Sequence, residues 1–248
     1  MIKISKYQNN YVDYQGLIII QSDNIDQFLL NLSSEESIEI NDSFLTLEDF
    51  LIISPLTKLS DLYQFASKNI LYKYLINSLE WAKEKVFNGE ILENYSDSLN
   101  SFIGDDLISF LPDAQKITKY IFDIDENKVI SKNSLLKFLH NFTTEGKVNI
   151  ILRNIDFIKI NDLTNFLSYY NFIIINSNPF KLLNNWEELE LIYIDYETEL
   201  IHIENYEILK FHITNKFELF DIDYKDINKD SKLLRKIKNY VDSKLSIN

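Results

Sequence analysis

The chain has 248 residues, and 38 Asp and Glu against 25 Lys and Arg give it a formal net charge of −13 at pH 7. A surface this acidic repels phosphates and argues against a freely exposed nucleic-acid binder. The sequence contains no cysteine, which excludes disulfides, Cys-ligated zinc and thiol catalysis. Its apolar runs stop after about five residues, whereas a bilayer span needs roughly 20. We therefore expect a cytoplasmic protein with no membrane partner.

The first 55 residues have the pattern of an α/β fold. Short apolar stretches predict strands at residues 2–5, 16–20, 37–40 and 50–53. A helix is predicted over residues 24–32, with Ser22 or Asp23 as its N-cap.

The pattern changes at Thr57, where apolar residues begin to recur at helical spacing. Two faces of one long helix are predicted, formed by Leu59, Leu62, Ala66 and Ile70 on one side and by Leu71, Leu75 and Leu79 on the other. Residues 80–126 predict further helices and hold 11 acidic against 4 basic residues. We assign residues 57–145 to an inserted helical domain.

The α/β pattern returns after residue 146. A strand at 148–152, a helix at 162–170 and a strand at 172–175 predict a βαβ unit with parallel strands. Residues 189–194 and 200–203 have the pattern of a hairpin. We assign residues 1–56 and 146–248 to one α/β head domain, whose last part, about 225–248, is a helix.

Common catalytic motifs are absent from the sequence. It has four glycines, and none lies in a GxxxxGK[ST] or GxGxxG pattern, so the close backbone approach that phosphate binding requires is not encoded. The three histidines show no HxxxH or HExxH spacing, and no GxSxG motif occurs. We expect neither a nucleotide site nor a hydrolase or metalloprotease site.

Three acids in the helical region have the spacing of a single helix face. Glu90, Glu93 and Asp97 are separated by three and four residues, so their carboxylates would lie together and could hold a hard cation. The alternative is a solvated acidic face without a ligand, which the spacing alone favours.

Other acids leave a second class of function open. Two DxD pairs, Asp123 with Asp125 and Asp221 with Asp223, and an ExK at Glu126 are the parts that a metal-dependent nuclease or phosphoesterase would need. A third possibility is a protein-interaction module without DNA binding.

The C-terminal segment is a basic amphipathic helix. One stripe holds four lysines, Lys225, Lys229, Lys232 and Lys236, and the opposite face is apolar and includes Ile237. Residues 225–248 carry seven basic and three acidic residues, a net charge of +4. This pattern favours a docked helix with solvated lysines over direct contact with phosphates.

The order of these elements resembles the Csn-two proteins of type II-A CRISPR adaptation modules. The resemblance rests on LIIIQSDNIDQFLLNL with the LEDFLIISPLTKLSDLYQFASKNILYKYL run, on INDLTNFLSYYNFIIINSN, and on ELELIYIDYETELIHI. Together these stretches cover about two thirds of the chain.

The resemblance implies a degenerate α/β head similar to P-loop ATPases but without a nucleotide site, and an inserted helical leg domain. It also implies a noncatalytic, ring-shaped homotetramer that threads the ends of double-stranded DNA through a central hole. Calcium bound near the junction of head and leg would stabilise the ring. The partners implied are the CRISPR integrase and the effector nuclease, beside which the family acts in spacer acquisition.

The resemblance also suggests site residues. The calcium-binding acids of the family lie just after its long helix, where this chain has GEILENYSDSLNSFIGDDL. The calcium ligands implied are therefore Glu90, Glu93 and Asp97, with Asp105 and Asp106 behind them. The basic C-terminal helix extends past the family's final strand pair, and it either braces the ring or lines the hole. If it lines the hole, Lys225, Lys229, Lys232 and Lys236 contact DNA.

Overall fold

The computed structural model describes residues 2–4, 15–33, 37–63, 69–77, 89–104, 106–109, 124–142, 146–185, 187–196, 199–204, 206–217, 235 and 237–239. The chain has an α/β fold and divides into two compact units. The first unit comprises Met1–Leu56 and Ile130–Asn248, and the second is Thr57–Val129. Residues 130–145, which we assigned to the inserted domain, belong to the first unit in this division.

The first unit contains two sheets. The strands are β1 (Ile2–Ile4), β2 (Leu17–Gln21), β3 (Ile38–Ile40), β4 (Ser43–Leu45), β5 (Leu51–Ile53), β6 (Val148–Arg153), β7 (Tyr170–Asn176), β8 (Ile192–Tyr196) and β9 (Glu199–His202). A small antiparallel sheet has the order β1-β3-β4. The main sheet has the order β5-β6-β7-β2-β8-β9, and its strands are parallel except β9. The parallel βαβ pairing of β6 with β7 and the hairpin of β8 with β9 confirm two of our sequence predictions.

Seven α-helices have both ends within the described residues, and residues 235 and 237–239 are also helical. They are α1 (Ile25–Leu32), α2 (Leu59–Leu62), α3 (Ile70–Asn77), α4 (Gly89–Ile103), α5 (Lys132–Asn141), α6 (Ile160–Leu163) and α7 (Tyr206–Phe217). Shorter 3₁₀ turns occur at Leu47–Asp49, Thr164–Phe166, Pro179–Leu182 and Glu187–Leu191. Within these ranges no helix is long and apolar enough to cross a membrane.

The core of the first unit forms around β2 and β7, which pair in parallel with Ile18 opposite Ile173 and Ile20 opposite Ile175. Every residue of both strands is buried. A parallel sheet covered on both faces requires such continuous apolar runs, because neither face meets water. Each fully buried Ile contributes roughly 1.5–3 kcal/mol of hydrophobic free energy, so these two runs make a large contribution to the stability of the unit.

The N-cap of α1 is Asn24, and our prediction of Ser22 or Asp23 is wrong. The Asn24 side chain accepts a hydrogen bond from the backbone N–H of Gln27 at 3.0 Å. Ser22 is buried, and its hydroxyl instead donates to the Asp195 carboxylate at 2.8 Å. A tertiary partner therefore takes the hydroxyl that could have capped the helix.

The long helix predicted from Thr57 is interrupted. Its first segment, α2, ends at Tyr63, whose backbone is extended with φ −121° and ψ 120°. Asn69 then starts α3: its side-chain amide donates to the Leu62 carbonyl at 3.2 Å and accepts from the Leu71 N–H at 3.1 Å. These hydrogen bonds satisfy backbone groups on both sides of the break. Residues 64–68 and Leu79 lie outside the described residues.

Tyr170 begins β7, although the helical pattern placed it at the end of a helix. Its side chain is fully buried, and its hydroxyl is within hydrogen-bonding distance of the carbonyls of Leu139, at 2.8 Å, and Phe142. Both carbonyls belong to the C-terminal end of α5, where backbone acceptors have no partner within the helix. Tyr170 thus joins α5 to the main sheet.

Replacing Tyr170 with Phe removes this hydroxyl and leaves the buried Leu139 carbonyl and the half-buried Phe142 carbonyl without this donor. We expect Tyr170→Phe to lower the free energy of unfolding by about 1–3 kcal/mol, measured by urea denaturation. Tyr169→Phe is the matched control, because the Tyr169 side chain is 49% exposed. Equal stabilities of the two variants would contradict the role assigned to Tyr170.

Candidate functional site

An asparagine side chain shapes the end of α4 in the second unit. The Asn100 side-chain oxygen accepts from the backbone N–H groups of Leu107, at 3.1 Å, and Ile108, at 2.7 Å, and its amide donates to the Ile108 carbonyl at 2.7 Å. Gly104 ends the helix at φ +81°, a conformation that glycine adopts without strain, and its N–H donates to the Asn100 carbonyl at 2.7 Å. These bonds fold residues 106–108 back against the last turns of the helix.

The fold-back creates an open depression of about 460 Å³, which we call the acidic depression. It is lined by Asp97, Asn100, Ser101, Gly104 and Asp106. Two of the predicted cation ligands, Asp97 and Asp106, therefore line the same depression. Asp97 and Ser101 lie four residues apart and share one face of the helix.

The other predicted ligands lie only partly within the described structure. The backbone of α4 includes Glu90 and Glu93, but their side chains are outside the described residues, and so is Asp105. The described part of the chain contains no group of three or more His, Asp or Glu that could hold a metal ion. The acidic depression is thus defined by two carboxylates.

The donor atoms of the acidic depression fit a hard cation in type. Calcium takes six to eight oxygen ligands, and the carboxylates of Asp97 and Asp106 and the hydroxyl of Ser101 are all oxygen donors. The Asn100 oxygen is already used by two backbone N–H groups. Because affinity for calcium rises with ligand charge, the carboxylates of Asp97 and Asp106 would contribute most to binding among the described residues of the depression.

The carboxyl edge of the main sheet is where an α/β fold usually binds its ligand, at the strand where the strand order reverses. That strand is β2. After β2 the main sheet continues at its far edge with β5 and returns through β6 and β7, and the next strand, β8, lies on the other side of β2. Two buried polar residues end this strand and already have protein partners. Gln21 accepts from the His212 ring at 3.0 Å, and Ser22 donates to Asp195.

The charges at this edge also disfavour a phosphate. A helix N-terminus attracts anions through its unpaired N–H groups and its dipole. At the start of α1, however, Asn24 occupies one N–H group, Asp23 precedes the helix, and Asp26 lies in its first turn beside Arg153. The segment from residue 21 to residue 26 also contains no glycine.

The described part of the C-terminal segment packs against the first unit. Ile237 is buried, as the amphipathic pattern predicted. Lys238 donates to the Leu183 carbonyl at 2.6 Å, and its own carbonyl accepts from Asn178 at 3.3 Å. The four lysines of the predicted stripe, Lys225, Lys229, Lys232 and Lys236, lie outside the described residues.

Burial, together with the nearby Lys159 ammonium, lowers the pKa of Lys238 from 10.5 to about 8, although Glu188 opposes this shift. Between pH 8 and 10.5 the unfolded chain therefore binds more protons at this position than the folded chain, so this group adds stability as the pH rises. We expect the stability of the wild type relative to Lys238→Met to increase from pH 7 to pH 10, measured by urea denaturation. Lys137→Met, at an exposed position, is the control, and the same trend in both variants would contradict the assignment.

Of the acids that the alternative nuclease reading would use, the structure describes only Asp125 and Glu126. Asp125 lies in an exposed turn, where its side chain accepts from the Asn127 N–H at 2.9 Å and its carbonyl accepts from the Lys128 N–H at 3.3 Å. Asp123, Asp221 and Asp223 lie outside the described part of the chain.

Sequence reasoning missed the polar residues at the carboxyl edge of the main sheet. Ser22 and Asp195 are 173 positions apart, and Gln21 and His212 are 191 apart. The parallel pairing of β2 with β8 brings Ser22 beside Asp195, so a correct strand order was the signal needed to find that pair. Gln21 meets His212 of α7 instead, and finding that pair also requires the position of this helix.

The chain was compared with protein families, curated proteins and solved structures. No family model matches the chain, and no curated protein matches it. Among solved structures, the chain is similar to the crystal structure of Stu0660 of Streptococcus thermophilus, with 15% identity and a TM-score of 0.49. The match covers 86% of this chain and 78% of that one. A similarity at this level carries no argument about function.

Proposed function

We propose that this chain is a noncatalytic protein that binds the ends of double-stranded DNA as a calcium-stabilised ring and acts in CRISPR spacer acquisition. The observation that carries the proposal is that polar residues at the carboxyl edge of the main sheet fill the place of a phosphate-binding loop. The strand order of the main sheet reverses at β2, and a phosphate-binding loop would have to follow this strand. In this chain the residues at that place are buried and already have protein partners: Gln21 bonds to His212, and Ser22 bonds to Asp195. A degenerate P-loop-like head is what the resemblance to the Csn-two family implies.

The arrangement of the chain supports the same proposal. Thr57–Val129 forms a compact unit of its own, inserted between the two segments of the first unit. Its described helices are α2, α3 and α4. We propose that this unit is the helical leg domain that the resemblance implies.

The acidic depression is the proposed calcium site. Its ligands would be the carboxylates of Asp97 and Asp106 and the hydroxyl of Ser101, with Glu90, Glu93 and Asp105 as the further candidates from the sequence. A bound calcium ion would neutralise the charge of the two carboxylates. We propose that this neutralisation permits the subunits of a homotetramer to assemble.

The net charge of −13 is compatible with DNA binding only if the basic residues are concentrated. Four copies around a hole would focus a few lysines on the phosphates, while the acidic outer surface repels other DNA. The candidate lysines are Lys225, Lys229, Lys232 and Lys236, in a segment whose net charge is +4. The proposed partners in the cytoplasm are the CRISPR integrase and the effector nuclease.

The proposal is tested by measuring the mass of the protein by light scattering after size exclusion, with calcium and with chelator, and by gel shifts of a linear duplex. We expect a tetramer in calcium, smaller species in chelator, and a log affinity that falls linearly with log salt concentration. A monomer in calcium that shifts no duplex at about 50 mM salt would disprove the proposal.

A variant with all four lysines changed to Gln separates the two roles of the C-terminal helix. If the helix lines the hole, the variant remains tetrameric and loses DNA affinity and salt dependence. If the helix braces the ring, the tetramer dissociates. Degradation of the duplex with magnesium or manganese would instead support the nuclease reading.

A further inference from the structure

Two lysine side chains bind the same short turn of the first unit. The Lys238 ammonium donates to the Leu183 carbonyl at 2.6 Å. The Lys159 ammonium donates to the Lys181 carbonyl, which lies two residues earlier in the chain. Both acceptors belong to the end of the 3₁₀ turn Pro179–Leu182, so the two cationic groups are brought close together. We call Lys159 and Lys238 the lysine pair.

The backbone of Lys238 is held beside this turn. Its carbonyl accepts from the Asn178 side chain at 3.3 Å, and the preceding residue, Ile237, is buried. The side chains of Lys159 and Lys238 are both half-buried. The Lys238 ammonium therefore loses part of its hydration, while a small reagent can still reach it.

This environment favours the neutral amine form of Lys238. Burial and the Lys159 ammonium both disfavour its positive charge and lower its pKa to about 8, although Glu188 opposes the shift. A desolvated lysine beside another cation is an activated nucleophile, because its nitrogen then carries a free lone pair. A neutral amine also keeps two N–H groups, so it can remain bonded to the Leu183 carbonyl while the lone pair reacts.

We propose that Lys238 is a modification site that is acylated by small acyl phosphates. The Lys238 nitrogen attacks the acyl carbon and forms a C–N bond, and the C–O bond to the phosphate breaks. Phosphate leaves with the bonding electrons, and the amine proton passes to water. The Lys159 ammonium favours this class of donor, because a phosphate group is an anion. The product is a neutral amide where the C-terminal segment contacts the turn, and its formation does not depend on DNA binding.

Acetyl phosphate is the probe, and peptide mass spectrometry measures the acetylation rate of each lysine in the full chain. At pH 8 about half of the Lys238 side chains carry a free amine, against less than about 1% for a lysine of ordinary pKa. We expect Lys238 to react at least about 10-fold faster than the exposed Lys137, and we expect this preference to disappear in concentrated urea. Equal rates in the folded protein, or the same preference in urea, would overturn the proposal.

Two variants test the role of the lysine pair. Lys159→Gln keeps a donor for the Lys181 carbonyl but removes the neighbouring cation, so acetylation of Lys238 at pH 8 should slow by at least about 3-fold. Lys181→Gln is the matched control, because it removes the same charge from the same turn, where the Lys181 ammonium lies 3.8 Å from the Asp156 carboxylate. An equal effect of the two variants would contradict the proposal.

A neutral acyl donor tests the choice of an acyl phosphate without any change to the protein. Phenyl acetate carries the same acetyl group but no negative charge, so the Lys159 ammonium does not attract it. We expect its preference for Lys238 over Lys137 to be smaller than that of acetyl phosphate. An equal or larger preference with phenyl acetate would contradict the proposed class of donor.

Discussion

Gly16→Ala is expected to lower the free energy of unfolding by about 2–5 kcal/mol, because it combines backbone strain with a steric clash. Gly16 has φ +98°, which side chains rarely adopt, and its carbonyl accepts from the Phe172 N–H at 2.7 Å where β2 meets β7. A Cβ at this position would overlap the Asn171 side-chain oxygen. Asn171 is buried and donates to Asn149 at 2.8 Å, so it cannot move away without losing that bond.

Gly146→Ala is the matched control for this prediction. Gly146 has φ +96°, but no atom of the described residues lies within 4 Å of a Cβ at this position, so the strain of about 1–3 kcal/mol is the expected cost. Guanidinium denaturation should show a larger loss for Gly16→Ala, and Asn171→Ser combined with Gly16→Ala should recover part of it. Equal losses at the two glycines would show that the contact with Asn171 is unimportant.

Asp97→Asn combined with Asp106→Asn is expected to weaken calcium binding by about 10-fold or more for each carboxylate, because each change removes one unit of charge close to a divalent ion. Titration calorimetry with calcium chloride measures the affinity. The control is Asp125→Asn with Glu126→Gln, which removes two charges from an exposed turn that does not line the acidic depression. The same loss in both double variants would mean that calcium responds to the general charge of the chain.

Asn100→Ala tests how the acidic depression is held together. It keeps both carboxylates and removes the side-chain hydrogen bonds to Leu107 and Ile108. We expect weaker calcium binding, because Asp106 is then no longer held beside the helix. Undiminished affinity would show that the fold-back of residues 106–108 is not needed.

The main sheet was predictable where the sequence itself carries the physical signal. Residues 16–20 and 172–175 are continuous apolar runs, and a parallel sheet buried on both faces requires such runs. The parallel pairing of β6 and β7 follows from the helix between them. The N-cap of α1 was missed because Ser22 bonds to Asp195, which is distant in sequence and adjacent only in the folded chain.

The candidate site was predictable only in part. Helical spacing placed Asp97 on one face of α4, but it says nothing about Asp106. The position of Asp106 beside α4 depends on the hydrogen bonds of Asn100 to Leu107 and Ile108. The break at Tyr63 was hidden because the apolar period continues through it. The Asn69 side chain bonds to the last residue of α2 and to the first turn of α3, and the spacing of apolar residues carries no information about such hydrogen bonds.

Preference for free DNA ends distinguishes a threading ring from a protein that binds duplex on its surface. The direct measurement is a competition assay in calcium at about 50 mM salt, in which a labelled linear duplex is displaced by unlabelled linear or covalently closed circular DNA of the same sequence. We predict that the linear competitor displaces the label at a concentration at least about 10-fold lower, since a closed circle offers no end to a closed ring. Equal displacement by linear and circular DNA would contradict the proposed end-binding ring.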